Sequence, residues 1–323
     1  GERQDERMQA VAIATQLDYY YFQGTNEDSV IHYTNKVKEF AKATHQPKYY
    51  YFAWANRLIT YYLKTSRTNI ALYEVQNMLK EAQEEDDKTG LSRCYNIMSQ
   101  IYTIKRFDSM AFEWRLKEIE LTEKYKIENY NISQTYAQIA NYYINQKKQK
   151  EALAAVEKAI ATANSSTQQI SAKLEFVNYY SKFGDFQAAE KLLKECQAAF
   201  EQDKRLESIK KRLYNIECLY YQQTKQYQKA LEAAKMQEKE ERRLSESILS
   251  SIHYRTQGEI YQKMGNMNLA VKYLQMYINT DDSLKIANEQ VSSSEFATLL
   301  NVEKLNAEKK ELMLQAQEKE LHN

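Results

Sequence analysis

The sequence predicts an all-α protein made by stacking one helical hairpin about seven times. Three observations predict it. Seven tyrosines (Tyr21, Tyr62, Tyr102, Tyr143, Tyr180, Tyr221 and Tyr261) stand at gaps of 41, 40, 41, 37, 41 and 40 residues. Nine residues after each comes a small residue: Val30, Ala71, Ala111, Ala152, Ala189, Ala230 and Ala270. Two marks in lockstep over seven copies define a tandem repeat of about forty residues. Third, the 323 residues hold only 6 glycines and 1 proline, too few to punctuate a protein of many strands. Abundant Ala, Leu, Glu, Lys and Gln favour helix instead.

Each repeat resolves into two helices and a break. Between residues 250 and 282, Ile252, Tyr254, Ile260 and Tyr261 recur at helical spacing. Gly265-Asn266 then interrupts the helix, because both residues tolerate the left-handed conformation of a helix end. Leu269, Ala270, Tyr273, Leu274 and Tyr277 open a second amphipathic helix. Gly258 and Ala270 are small enough for close axial approach, with Tyr261 filling the space beside them. Phe183-Gly184-Asp185-Phe186 repeats the break in the fifth unit, and polar stretches (145–149, 224–226) replace it elsewhere. Pro47 falls between the first and second units, where a helix must stop. A single core would be overstretched by this length, but stacked repeats pack only on their neighbours.

This pattern resembles the tetratricopeptide repeat (TPR) family. The resemblance is carried by Gly258, Tyr261, Gly265 and Ala270 in the last unit, and by Tyr180, Gly184, Phe186, Ala189 and Leu193 in the fifth. Tyr214, Tyr221, Tyr227 and Ala230 carry it in the sixth, and Tyr136, Ala140, Tyr143 and Ala152 in the fourth. It extends over residues 1 to about 282. The period departs from the standard thirty-four, which lengthens the helices by about a turn. The resemblance implies a right-handed superhelical solenoid of about seven TPR-like hairpins, whose concave groove binds peptides or partner proteins.

In such an array the first helices line the groove, and the exposed stripe falls about two and six residues before each marker tyrosine. Those offsets give Thr60 and Asn56, Gln100 and Asn96, Asn141 and Ala137, Asn178 and Leu174, Leu219 and Asn215. Half are asparagine, a poor helix former that offers a peptide backbone both a donor and an acceptor without charge. Arg57, Arg93, Arg212, Arg255 and Lys263 add partners for carboxylates. The candidate groove is therefore Asn56, Arg57, Arg93, Asn96, Gln100, Asn141, Asn178, Arg212, Asn215 and Arg255. The alternative is that asparagine merely solvates an exposed helix face. Paired tyrosines such as Tyr179-Tyr180 are expected in the core, whereas Tyr19 and Tyr49 to Tyr51 leave the ladder and are candidates for an exposed aromatic patch.

Other chemistry is scarce. Charges balance at 45 basic against 44 acidic, which disfavours nucleic acid as a partner. No run of about twenty apolar residues is present, so no membrane insertion is expected of this chain. Cys94, Cys196 and Cys218 form neither a disulfide framework nor a zinc cluster, though a bridge between Cys196 and Cys218 stays open. His32, His45, His253 and His322 have no metal-like spacing, and no phosphate loop, nucleophile elbow or HExxH occurs. No catalytic residue, metal or cofactor is therefore nominated, and the chain is not expected to be an enzyme.

Residues 283–323 lack Gly and Pro and predict one long helix after the array of 1–282. Leu284, Ile286, Val291, Phe296, Leu299 and Leu300 are expected to cover the last hairpin, before a charged linker of coiled-coil character. Leu300, Ala307, Leu314 and Leu321 mark heptads, but polar Glu303, Lys310 and Gln317 in the second seam position allow only a weak dimer. A charged helix after a TPR array is similar in arrangement to membrane-bound bacterial sensor histidine kinases. That similarity implies the sensing region of a bacterial signal-transduction protein, periplasmic or extracytoplasmic, with a cytoplasmic location as the alternative. Gly1 stands where an initiator Met would, before a polar GERQDER start, and reads as a protease scar on a trimmed chain, with a leader upstream left open by composition. The functional expectation is a protein- or peptide-binding module. The alternatives are a freestanding scaffold or co-chaperone and, behind it, a carbohydrate binder or enzyme that uses the tyrosines.

Overall fold

A computed structural model describes residues 2–24, 26–244 and 251–321, and every regular element among them is helical. The helices pair as hairpins. The first joins α1 (Glu2–Gln23) to α2 (Glu27–Ala43). The second joins α3 (Pro47–Ala53), a π-helical turn (Trp54–Ile59) and α4 (Thr60–Lys64), which form one run, to α5 (Thr68–Glu84). Then follow α6 (Lys88–Ile104) with α7 (Asp108–Tyr125), and α8 (Ile132–Asn145) with α9 (Gln149–Ala161). The fifth hairpin pairs α10 (Ser166–Phe183) with α11 (Phe186–Gln202); a 3-10 turn (Lys204–Ile209) leads to α12 (Lys210–Gln223) and α13 (Tyr227–Leu244). The seventh pairs α14 (Ile252–Lys263) with α15 (Met267–Leu321).

One backbone device closes nearly all of these hairpins. Four residues after the marker tyrosine, Ser66, Arg106, Lys147, Gly184, Lys225 and Gly265 adopt positive φ, between 58° and 91°. The next amide turns back onto the tyrosine carbonyl: Arg67 N–H to Tyr62 O at 2.8 Å, Lys148 N–H to Tyr143 O at 2.9 Å, Asp185 N–H to Tyr180 O at 3.0 Å. That is the six-to-one bond of a Schellman helix end, which satisfies carbonyls the first helix would leave orphaned. The same residue then opens the second helix, its carbonyl accepting the N–H of the small residue four further on, as in Ala189 N–H to Asp185 O at 3.0 Å. Five residues to close and four to open make the spacing of nine. All seven small residues are 0–1 % exposed. Tyr261 shares a core with Ala230 and Ala270, and Tyr180 packs on the core that holds Ala189.

The chain forms two compact units. One comprises 1–127 and 286–323, its core built from Leu17, Tyr21, Val30, Tyr51, Ile59 and Ile101 among others. The other, 128–285, contains the last four hairpins up to Lys285. Within it a Cβ on Gly258 would stand 2.8 Å from Leu274 Cγ, which is the close approach expected of a small residue there.

Three expectations are corrected. The terminal helix does not begin at Ser283: α15 runs unbroken through Asp281-Asp282. Asp281 accepts from Ser251 Oγ at 3.2 Å and pairs with Lys285 at 3.1 Å, so its charge is met without ending the helix. Nor do all of the residues expected to cover the last hairpin do so, since Leu299 packs on the core of the first unit. There the buried Glu295 carboxylate accepts from the Asn69 and Ile70 amides at 3.0 and 3.2 Å, capping α5. The side chains of Phe296, Leu300, Leu314 and Leu321, together with His322, lie outside the described residues. Finally, Tyr19 and Tyr49 are exposed, but Tyr50 and Tyr51 are buried. The Tyr51 ring occupies the space above Gly90, where a Cβ would come within 2.7 Å of it.

The turns yield a prediction. Gly184→Ala places a Cβ in a left-handed site and is expected to cost about 1 kcal/mol, whereas Lys147→Gly is expected to be neutral or to stabilise by up to about 1 kcal/mol. Urea denaturation of both variants checks the opposite signs.

Candidate functional site on the first-helix face

In the second unit α8, α10 and α12 are consecutive first helices, and one carboxylate ties them together. Glu175 on α10 is 2 % exposed. Its Oε1 accepts from Asn141 Nδ2 of α8 at 3.1 Å and from Asn178 Nδ2 of its own helix at 2.8 Å. Its Oε2 accepts from Arg212 Nη2 of α12 at 2.7 Å. Burying a carboxylate is tolerable only with such pairing. Asn145 Nδ2 donates to Asn141 Oδ1 at 3.1 Å and extends the network toward the surface. Beside it lies a depression of about 140 Å³ lined by Ser133, Gln134, Ala137, Thr167, Gln168, Ser171, Ile209 and Arg212.

Local capping fixes this geometry. Ser165 caps α10, its side chain accepting the Gln168 N–H, while Gln168 Nε2 donates to Tyr130 O at 2.6 Å. Ser166 Oγ donates to Asp203 Oδ2 at 3.1 Å. Asp203 in turn caps the 3-10 turn that leads into α12. The hydrogen bonds from the Arg205 side chain and amide hold the Asp203 carboxyl down at about 2.

The first unit carries the other half of the expected residues. The π-helical turn presents Asn56 and Arg57 side by side. Such turns insert an extra residue into a helix and recur at functional sites. Arg57 Nε donates to Asp18 Oδ1 at 2.5 Å, and Arg93 Nη1 to Asn56 Oδ1 at 2.6 Å. Asn96 donates to both oxygens of the buried Glu118 at 3.2 Å and accepts from Gln100 Nε2 at 2.7 Å.

Of the sequence-predicted residues, Asn141, Asn178 and Arg212 thus converge on Glu175, while Asn56 and Arg93, and Asn96 and Gln100, meet in pairs. Asn215 is exposed on α12, and Arg255 pairs along its own helix with Glu259. Asn178 is buried, with its amide committed to Glu175. The offset of six fails at Ala137 and Leu174, which belong to the core because neighbouring first helices pack through them. Sequence reasoning missed the acids Asp18, Glu118 and Glu175. Glu175 had a signal: it is one charge amid Leu174, Phe176 and Val177, in a stretch otherwise apolar.

The three thiols are free and buried, so the possible Cys196–Cys218 bridge is absent. Burial pushes both Cys196 and Cys218 up to about 11. Among the described residues no group of His, Cys, Asp and Glu could hold a metal, and no helix is long and apolar enough to cross a membrane.

Among solved structures the chain is similar to NprR in complex with its cognate peptide NprX, with a TM-score of 0.58 at 13% identity over 83% of this chain and 77% of that one. It is similar also to a Rap protein complexed with Competence and Sporulation Factor (TM-score 0.52, 15% identity, 93% and 99% covered). A tetratricopeptide repeat protein from Parabacteroides merdae matches at TM-score 0.50 and 13% identity, with 88% and 99% covered. The fold is a TPR-type helical repeat array. No family model and no curated protein matches the sequence.

Within this TPR array Glu175 is the acceptor that three side chains of the face share. Glu175→Ala leaves the Arg212 guanidinium, partly buried, without its counter-charge, and is expected to destabilise the chain by about 2–4 kcal/mol. Glu175→Gln, which keeps one acceptor, should cost less. Denaturant midpoints of the two variants measure the difference.

Proposed function

We propose that this chain is a protein-binding TPR module that holds an extended peptide along its first-helix face. The observation carrying this reading is the Glu175 network, which fixes Asn141 and Arg212 in a row across three successive helices beside a small depression that Arg212 lines. Fixed amide and guanidinium groups suit a peptide backbone, since their ordering is complete before the ligand arrives. Two proteins of similar structure are bound, NprR to its cognate peptide NprX and a Rap protein to Competence and Sporulation Factor, and a ligand of that class supports this reading.

A sensing role is the finer form of the proposal. It rests on α15, whose Glu295 docks at the first turn of α5 through the Asn69 and Ile70 amides and the Asn69 side chain. A single buried carboxylate on a helix N-terminus is a contact that can be made or broken as a unit.

Both forms meet one experiment. Peptides selected from a random display library on the wild-type chain are expected to bind at least about tenfold more weakly to Asn141→Ala, measured on folded protein well below a melting temperature that falls because Glu175 loses one donor. Equal affinity, or no selectable peptide, contradicts the groove. If the bound peptide leaves hydrogen exchange at Asn69 and Ile70 unaltered, the sensing form is rejected and binding alone is retained.

A further inference from the structure

We infer that the depression beside Arg212 is a specificity pocket that takes a threonine side chain of the bound peptide. The inference rests on the peptide-binding reading and names the residue that this part of the face selects.

The depression has the size of one side chain. It holds about 140 Å³, well below the roughly 300–1,000 Å³ of a pocket that encloses a whole small-molecule ligand. Gln134 and Ala137 line it from α8, and Thr167 and Ser171 from α10. Each pair spans about one helical turn, roughly 5 Å. Ile209 and Arg212 line it from the α12 side.

The lining is mainly apolar surface, so the polar points within it decide what fits. Serines and threonines inside helices of this chain commonly spend their hydroxyl on the carbonyl four residues back. Thr15 does so on Val11 at 2.7 Å, Thr103 on Ser99 at 2.8 Å and Ser181 on Val177 at 2.6 Å. Ser171 has the same opportunity at the Thr167 carbonyl and does not take it. Neither the Ser171 nor the Thr167 hydroxyl has a hydrogen-bond partner among the described residues. By contrast, Ser133 Oγ donates to Ala159 O at 2.7 Å. Gln168 donates from Nε2 to Tyr130 O at 2.6 Å and accepts the Asn164 N–H at Oε1 at 3.0 Å. Gln134 is exposed to solvent. Two half-buried hydroxyls are therefore left unspent, each able to donate and to accept.

Charge is disfavoured here in both directions. Arg212 is the cation that lines the pocket, and Glu175 Oε2 already accepts from its Nη2 at 2.7 Å. A ligand carboxylate would meet a neutralised pair, with Glu175 as a like charge behind it. A ligand ammonium would find Glu175 buried, its oxygens shared among Asn141, Asn178 and Arg212. A short neutral side chain remains. Threonine matches both kinds of surface: its hydroxyl pairs with Ser171 and Thr167, and its methyl packs on Ala137 and Ile209. Valine fills the same space but leaves desolvated hydroxyls without partners, which is how a site rejects an analogue lacking one polar group.

The test uses ten-residue peptides selected from a random display library on the full chain. Threonine, with serine behind it, is expected to be enriched at one position. The strongest peptide, remade with Val there, should bind the wild-type chain about three- to tenfold more weakly. Remade with Glu, it should bind more weakly still. Ser171→Ala retains the fold, since alanine is the better helix former. On that variant the gap between the Thr and Val peptides should shrink to about twofold or less. Ser171→Leu, checked by its melting curve, fills the depression and should bind the Thr and Val forms alike. Selected peptides without Thr or Ser enrichment, or equal binding of the Thr and Val forms to wild type, overturn the pocket while leaving peptide binding in place. A gap undiminished in Ser171→Ala and in folded Ser171→Leu also overturns it, because the threonine then binds elsewhere. Failure to select any peptide removes the parent reading and this one together.

Discussion

Six of the seven hairpins close on one hydrogen bond, from the amide five residues beyond a tyrosine back to that tyrosine's carbonyl. It can form only when the residue between adopts a left-handed conformation, and it fixes where the second helix begins. The small residue then arrives nine positions after the tyrosine, facing the core at the hairpin's closed end. A larger residue there would push the helices apart, and a shifted one would turn a different side chain inward. The tight contact of Gly258 with Leu274 across the seventh hairpin accompanies this closure.

With the hairpins closed, successive first helices lie side by side, and the groups between them must be satisfied locally. The second unit does this with Glu175, whose oxygens serve donors from three helices. The first unit does it piecewise, with Asp18 on Arg57, Glu118 on Asn96, Asn56 on Arg93, and ring faces beside Arg57 and Lys64.

The repeat period, the tyrosine–alanine lockstep and the helical class were legible because they rest on local rules of spacing. The turn chemistry was only half legible. Gly184 and Gly265 announced themselves, but Ser66, Arg106, Lys147 and Lys225 occupy the same left-handed position without any residue signature. For the site, the asparagine stripe was readable and its acids were not, since Glu175 becomes a hub only when helices 34 and 37 residues apart in sequence are brought together. The uninterrupted α15 was missed for a similar reason. Asp281 reads as a cap in sequence, yet Ser251 and Lys285 meet its side chain inside the helix.

The most direct test of this account is insertion of one glycine after Gly184. An ordinary surface loop absorbs a residue at a cost of a few tenths of a kcal/mol. If closure sets the register, the insertion separates the Asp185 amide from the Tyr180 carbonyl and rotates Ala189 out of its place. Hydrogen exchange should then lose protection across α10 and α11, with stability falling by several kcal/mol, roughly the cost of disrupting a packed core. Unchanged protection at Asp185 and Ala189, with stability within about 0.5 kcal/mol of the parent chain, would contradict the account.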